Sequence, residues 1–256
     1  MKKLIAVFLA LMTLVCAASL TSFAADGEDL KSPNPVPGRA NPTGNVMKFD
    51  DLNGAAPKGG SGYAVNTQEE VKTDDGIRTE AFDPAKLADP SLIIYAAVRE
   101  HGSDLIITNG DQTDTIVSGL EQGLDFSGSL RSRCFEPDAP NLTPRISAML
   151  CLGGDYRYDM SILKSIDEDG SDCARYTFSY PAKRGLGHFI HTYVTDGDPL
   201  PTFQGEPERV HVPSGIDAFT DDIWNALDED NRISLYVRYT DLASGEKSVR
   251  LINRNK

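Results

Sequence analysis

Apolar positions recur with two different periods along the chain, and each change of period marks an element. Leu92 to Val98 is a short apolar run of buried-strand type. His101-Gly102-Ser103 turns it and Asp104 to Thr108 returns, which predicts a hairpin. From Asp111 to Gln122 the period lengthens to that of a helix. Ile116 and Leu120 lie four apart, Thr113 is the expected N-cap and Gly123 the stop. A second short helix is expected over Phe126 to Arg131. Strands follow at Arg145 to Leu152, Tyr158 to Ile162, Arg175 to Tyr180 and Gly187 to Val194. Ser214 is expected to cap a helix whose Ile216, Phe219, Ile223, Trp224 and Leu227 share one side. Ile233 to Val237 and Val249 to Ile252 close the chain as a hairpin turned near Ser244-Gly245. Antiparallel hairpins with a few intercalated helices imply an α+β layered fold. The βαβ rhythm, the glycine-rich phosphate loop and internal repeats are missing from the pattern.

The N-terminal part lacks this texture. Lys2 and Lys3 precede an apolar run from Leu4 to Val15, interrupted only by Thr13, and Ser22 and Ala24 satisfy the small-residue rule for cleavage before Ala25. Residues 1–24 therefore read as an export signal, and the run falls short of the roughly 20 apolar residues that span a bilayer. Bulky Val15 argues against lipidation at Cys16. Residues 25–74, rich in Gly, Pro, Asn, Asp and Lys, read as a polar flexible leader, and residues 75–256 as the folded domain.

Charge narrows the ligand. The 256 residues carry a net charge of -13, which becomes -15 once Lys2 and Lys3 leave with the signal. Nucleic acid is disfavoured, because a phosphate backbone is bound by clustered Lys and Arg. A small phosphorylated ligand is not, since one or two placed arginines suffice for a single phosphate. Cys134, Cys151 and Cys173 remain in the mature chain, so at most one internal disulfide forms, and their spacing is not that of a zinc site.

The densest motifs are polar turns between apolar runs: Asn109-Gly110-Asp111-Gln112-Thr113-Asp114, Phe135-Glu136-Pro137-Asp138-Ala139-Pro140 and Thr143-Pro144-Arg145-Ile146-Ser147. Such turns on a rigid scaffold are where binding and catalytic groups concentrate. The first sits at a strand-to-helix junction, where free N–H groups attract anions. Asp111 and Asp114 would repel a phosphate there, so contacts from Asn109, Asp111, Thr113 and Asp114 to a base or ribose are favoured. Capping and turn chemistry explains the same residue types. Arg145 opens a core strand and is a candidate for phosphate, with Arg131 and Arg133 behind it. His188 and His191 lie three apart on a strand and so face opposite ways. They are not expected to share a metal, but one of them, His188, is a candidate pocket residue.

These turns, with Asp75-Gly76-Ile77-Arg78-Thr79-Glu80, Gly187-His188-Phe189-Ile190-His191-Thr192 and Gly205-Glu206-Pro207, resemble in order and spacing the inosine monophosphate (IMP) cyclohydrolases of archaeal type and their bacterial relatives. Pro37-Gly38-Arg39 matches the family's Gly-Arg near its first strand, which makes Arg39 a further substrate-binding candidate. After that point the family continues with two apolar strands and an Arg-Ser motif, whereas Ala40 to Asp74 is polar here. The resemblance implies a four-layer αββα sandwich similar to the N-terminal-nucleophile hydrolases, with mostly antiparallel sheets. It implies closure of 5-formamidoimidazole-4-carboxamide ribotide to IMP with loss of water, without cofactor or catalytic metal. It also implies catalytic roles for Tyr95 and Glu136, and a small phosphorylated purine precursor or nucleotide as partner.

That reaction needs an acid/base group for the amide nitrogen and a donor for the formyl oxygen. Taken alone, Tyr95 reads as a buried strand tyrosine and Glu136 as a solvated loop carboxylate. Two rival readings stand beside catalysis. One is an exported, non-catalytic relative that binds a nucleotide or another small ligand. The other is an N-terminal-nucleophile amidohydrolase, which needs Cys, Ser or Thr as its first residue; cleavage before Ala25 does not provide one. The sequence leaves the oligomeric state open.

Overall fold

A computed structural model describes residues 3–11, 16–22, 68–81, 94–154, 156–194, 199–227, 229 and 232–254. The described residues form two antiparallel sheets and three helices. The larger sheet is a meander of seven strands in chain order: β3 (Gln68–Lys72), β4 (Gly76–Ala81), β5 (Ala96–His101), β6 (Asp104–Thr108), β7 (Arg145–Cys151), β8 (Arg157–Ser165) and β9 (Cys173–Pro181). The smaller has six strands in the order β11 (Glu208–His211), β10 (Leu186–Ile190), β2 (Cys16–Ser22), β1 (Lys3–Leu11), β12 (Ser234–Asp241) and β13 (Lys247–Asn253).

The period-two alternation of the strands sorts their side chains between layers. Leu105 and Ile107 of β6, Ile146, Ala148 and Leu150 of β7, and Tyr158, Met160 and Ile162 of β8 join one core. Ile190 of β10 and Tyr236 of β12 belong to the same core, which therefore lies between the sheets. The alternate residues Ile106, Met149 and Leu163 face outward, under Ile116 and Val117 of α1 (Gln112–Glu121) and Phe126 of α2 (Phe126–Ser129). On the other sheet, Phe189, Leu235, Val237 and Tyr239 pack against Phe219 and Ile223 of α3 (Ile216–Ala226). Each sheet thus has a helical cover on its outer face, and fully burying one such Phe or Ile contributes about 1.5–3 kcal/mol.

Several boundaries differ from the sequence reading. Asp111, not Thr113, occupies the N-cap of α1, and it makes no side-chain cap bond. Thr113 is buried inside the first turn, where its hydroxyl donates to the Ala96 carbonyl at 2.5 Å. Gly215 rather than Ser214 is the N-cap of α3. The strand expected over Gly187 to Val194 ends at Ile190, and Tyr193 then forms an isolated bridge with Thr202. Leu92 and Ile93 lie outside the described residues. β3 falls inside the stretch read as a leader. Its polar sequence suits a sheet edge, but Glu70 is buried.

The segment read as an export signal supplies β1 and β2. They pair with each other, β1 pairs with β12 from Leu4↔Asp241 to Leu11↔Ser234, and β2 pairs with β10 from Gly187↔Ser19 to Ile190↔Cys16. They occupy the centre of the six-stranded sheet.

Candidate functional site

Three segments converge at the start of α1: the turn Asn109-Gly110-Asp111, the loop from Phe135 to Pro144, and Arg145 at the head of β7. Asn109 ties the first to the third. Its Oδ1 accepts from Ile146 N at 2.8 Å and from Gln112 Nε2 at 3.0 Å, and its Nδ2 donates to the Pro144 carbonyl at 2.9 Å. The Asn-X-X-Gln spacing makes this possible, because a residue at the end of a strand and one in the first helical turn meet across a tight corner. Asn109 is thereby committed to backbone architecture.

Gln112 is fully buried and spans the cluster. Its Nε2 also donates to the Ile146 carbonyl at 3.1 Å, and its Oε1 accepts from Arg145 Nη1 at 2.9 Å. Arg145 Nη1 lies 2.8 Å from Asp111 Oδ1 and 3.5 Å from Glu136 Oε1. Arg133 Nη2 pairs with the same Asp111 oxygen. Asp111 is thus a bridge between two guanidinium groups, not a free acceptor. The arginine at 145 is nearly enclosed, which makes its fork a fixed feature of the site.

Glu136 is the group this arrangement perturbs. Its side chain is only 12% exposed. Burial pushes its pKa from 4.5 to about 7, Arg145 and Arg133 oppose the rise, and Asp138 and Asp111 add to it. Its loop is held from below. Glu136 N donates to the Thr143 carbonyl at 2.8 Å, and Thr143 N donates to Asp138 Oδ1 at 2.7 Å. The Thr143 hydroxyl also bonds Asp138 Oδ2 and lies 2.5 Å from the Tyr193 hydroxyl. The loop contains a cis Ala139–Pro140 peptide and a left-handed Leu142, with φ of 47°.

Tyr95, just before β5, is buried. Its backbone N donates to Thr79 Oγ1 at 3.0 Å, and Thr79 N donates back to its carbonyl at 2.9 Å. Burial holds its phenol well above the usual range. Glu136 and Glu70 raise it further and Arg145 opposes them, so Tyr95 shares an electrostatic environment with both site groups and stays protonated at neutral pH. Glu70 pairs in register with Thr79, so Glu70, Thr79 and Tyr95 stand in a row across the sheet. Both Glu70 carboxylate oxygens are buried without a hydrogen-bond partner, and burial lifts its pKa from 4.5 to about 8.

Other sequence candidates lie elsewhere. Asp114 is well exposed and pairs with Arg99 at 2.7 Å on the surface. Thr113 is spent on the packing described above. His188 bonds the Tyr158 hydroxyl through Nδ1 at 2.6 Å and stacks on Tyr180 at 3.5 Å, and burial lowers its pKa to about 4, so it is neutral at pH 7. His191 makes separate contacts: Nδ1 to the Tyr193 carbonyl at 2.6 Å and stacking on Phe189. Arg39 lies outside the described residues. A groove of about 430 Å³ runs between β3 and β13, lined by Glu70, Val71, Lys72, Leu251, Ile252 and Asn253, and no member of the Glu136–Arg145 cluster lines it.

Residues 61–246 match the sequence model of a family described as IMP cyclohydrolase-like protein. The chain belongs to the IMP cyclohydrolase-like family. A search of curated proteins gave no match. The matched span contains Tyr95, Glu136, Arg145 and the Asn109–Asp111 turn, so the converging cluster belongs to the part shared with the family. It opens at residue 61, ahead of Asp75, where the resemblance in the sequence begins.

Sequence reading missed four contributors. Gln112 and Thr143 sat within quoted motifs, but their partners are long-range. Tyr193 looked like a strand residue, and Glu70 lay in a polar stretch with no apolar period. Three further buried atoms have no hydrogen-bond partner, His191 Nε2, Thr192 Oγ1 and Glu208 Oε2, and His191 Nε2 lies 3.8 Å from Glu208 Oε1. Unpaired buried groups of this kind are uncommon in folded chains.

Gly110 sets the tightness of the cluster. A Cβ there would sit 2.6 Å from Gln112 Oε1 and 3.2 Å from Glu136 Oε1, and would overlap Arg145 Nη1. Gly110→Ala is expected to displace the arginine and destabilise the fold by about 1–3 kcal/mol, read as a lower denaturant midpoint at unchanged slope. An unchanged midpoint would contradict this packing.

Proposed function

We propose that the chain closes 5-formamidoimidazole-4-carboxamide ribotide to IMP with loss of water. The observation that carries this reading is the Glu136 carboxyl, poised near neutrality by burial beside Arg145, on a chain of the IMP cyclohydrolase-like family. As carboxylate, Glu136 takes the proton from the amide nitrogen as that nitrogen attacks the formyl carbon. The Tyr95 hydroxyl, protonated at neutral pH, donates to the formyl oxygen as it gains negative charge. The alkoxide takes the Tyr95 proton to become a hydroxyl. The acid form of Glu136 protonates that hydroxyl, so that it leaves as water. The former formamide N–H returns its proton to the Tyr95 phenolate as the ring C=N bond forms. The reacting groups are neighbours on one ring, so holding the right rotamer supplies much of the rate. Arg145 orients Glu136 and is assigned the phosphate contact, with Asp111 and Gln112 fixing its fork. The core between the sheets and the helix-covered outer faces support the four-layer αββα reading.

A second reading is an exported, non-catalytic relative that binds a nucleotide or another small ligand, and the N-terminal segment favours it. The sheet pairing weighs the other way: cleavage before Ala25 would remove β1 and β2, leaving β10 paired with β11 alone and β12 with β13 alone. The exported chain must then close that gap from elsewhere, or remain uncleaved. The mass of the mature N-terminus tests this directly. A start at Ala25 is expected for export, and an intact Met1 or Lys2 would sink it.

The reaction itself is tested by incubating purified protein with the formamido ribotide and following product formation. Turnover is expected. No turnover with saturable IMP binding would support the second reading, and neither would leave shared ancestry alone.

A further inference from the structure

The loop that brings Glu136 to the site is tied to β9 immediately upstream. Arg175 Nη2 donates to the Arg133 carbonyl at 2.8 Å, and Phe135 packs into the outer core that contains Cys173. Between those two ties sits Cys134. The Arg175 guanidinium also donates to the Cys173 carbonyl through Nη1 at 3.0 Å, so one side chain holds the backbone of Cys173 beside the residue that precedes Cys134. Both cysteines are free, Cys134 exposed and Cys173 buried, and Cys151 stands apart on β7.

We infer that Cys134 and Cys173 form a disulfide that fastens the Glu136 loop to β9, given a small-molecule or protein disulfide as oxidant. Cys134, the exposed partner, loses its proton and attacks one sulfur of the donor disulfide. The donor S–S bond breaks, one donor thiolate leaves, and a mixed disulfide remains on Cys134. Cys173 then loses its proton, attacks the Cys134 sulfur and expels the second donor thiolate. The chain gives up two protons and two electrons, and the donor is reduced to two thiols. Burial and the neighbouring Cys134 push the Cys173 thiol up to about 11, which leaves the exposed Cys134 as the first to attack. The partners are 39 positions apart, so the bond closes a loop that contains Arg145 and the whole Phe135–Pro144 segment. Its reach is therefore the site itself: Cys134 lies between Arg133, which pairs with Asp111, and Glu136. The inference stands whether or not the ring-closure reading holds.

The test uses the full chain, treated with oxidised glutathione and then with an alkylating agent. Expected are an intact mass about 2 Da below that of the reduced protein, a cross-linked peptide pair joining Cys134 to Cys173, and alkylation of Cys151. Reductant should then lower Tm by roughly 5–10 °C, the scale for a loop of this length. Cys151→Ser should keep the cross-link and its Tm effect, and Cys134→Ser should lose both. Alkylation of both Cys134 and Cys173 after oxidation, a glutathione adduct left on Cys134, or a cross-link through Cys16 or Cys151 would each overturn the proposal. The wild-type peptide map decides the matter even if a serine variant fails to fold.

Discussion

Glu136→Gln is expected to lower turnover of the formamido ribotide by roughly 10²–10⁴-fold, the range for losing a positioned acid/base group. The same change is expected to stabilise the fold. Burial raises the Glu136 pKa from 4.5 to about 7, so the folded state holds its proton more tightly than the unfolded chain does. Stability from that source is fully present below pH 4.5, is lost as pH rises toward 7, and stays lost above it. The glutamine has no charge to desolvate, so its gain builds between pH 4.5 and about 7 and levels off above that at no more than about 3.4 kcal/mol. In the wild type, kcat/KM should fall on the acid side of about pH 7, where the base becomes protonated. Paired melting curves at low and high pH, with the pH–rate profile, check both halves. A variant that keeps its turnover would remove Glu136 from the chemistry, and a pH-independent Tm difference would remove burial as the cause of its titration.

Glu70→Met should give the largest gain in stability. Both Glu70 carboxylate oxygens lack partners, and the side chain is 1% exposed on an edge strand. An unpaired buried charge is among the most costly features a core can carry, and an apolar replacement of similar volume removes the cost. The raised pKa of about 8 fixes the pH dependence: the penalty builds from pH 4.5 to about 8 and is complete above that. A Tm increase of roughly 5–10 °C at pH 9, shrinking to little below pH 4.5, is expected. Equal melting temperatures for wild type and variant at pH 9 would contradict a desolvated carboxylate at this position.

The strands and helices that sort the core were legible because their periods are local. The mainly apolar runs of β6 and β7 announce burial on both faces, and α1 stops ahead of Gly123 as a left-handed glycine dictates. The site was legible only in part. Asn109, Asp111, Glu136 and Arg145 fell inside conspicuous turns, and the structure brings them together. Their division of labour was hidden, because it depends on contacts more than 30 positions apart: Gln112 with Arg145 and Ile146, and Asn109 with Pro144. Thr113 and Asp114 belong to the same motif, yet one turns into the core and the other to solvent, since neighbours on a helix point about 100° apart. Glu70 was invisible for a different reason. Polar residues carry no periodic signal when the one that is buried is itself charged.

The central claim is that the Arg145–Glu136 cluster receives a phosphorylated purine or its precursor. Calorimetric titration of IMP into the folded protein tests it most directly. The account predicts saturable binding that weakens about tenfold or more in Arg145→Gln, the scale of a lost charge-assisted contact. Heats that never saturate, or an affinity untouched by that substitution in a protein that still melts cooperatively, would contradict it.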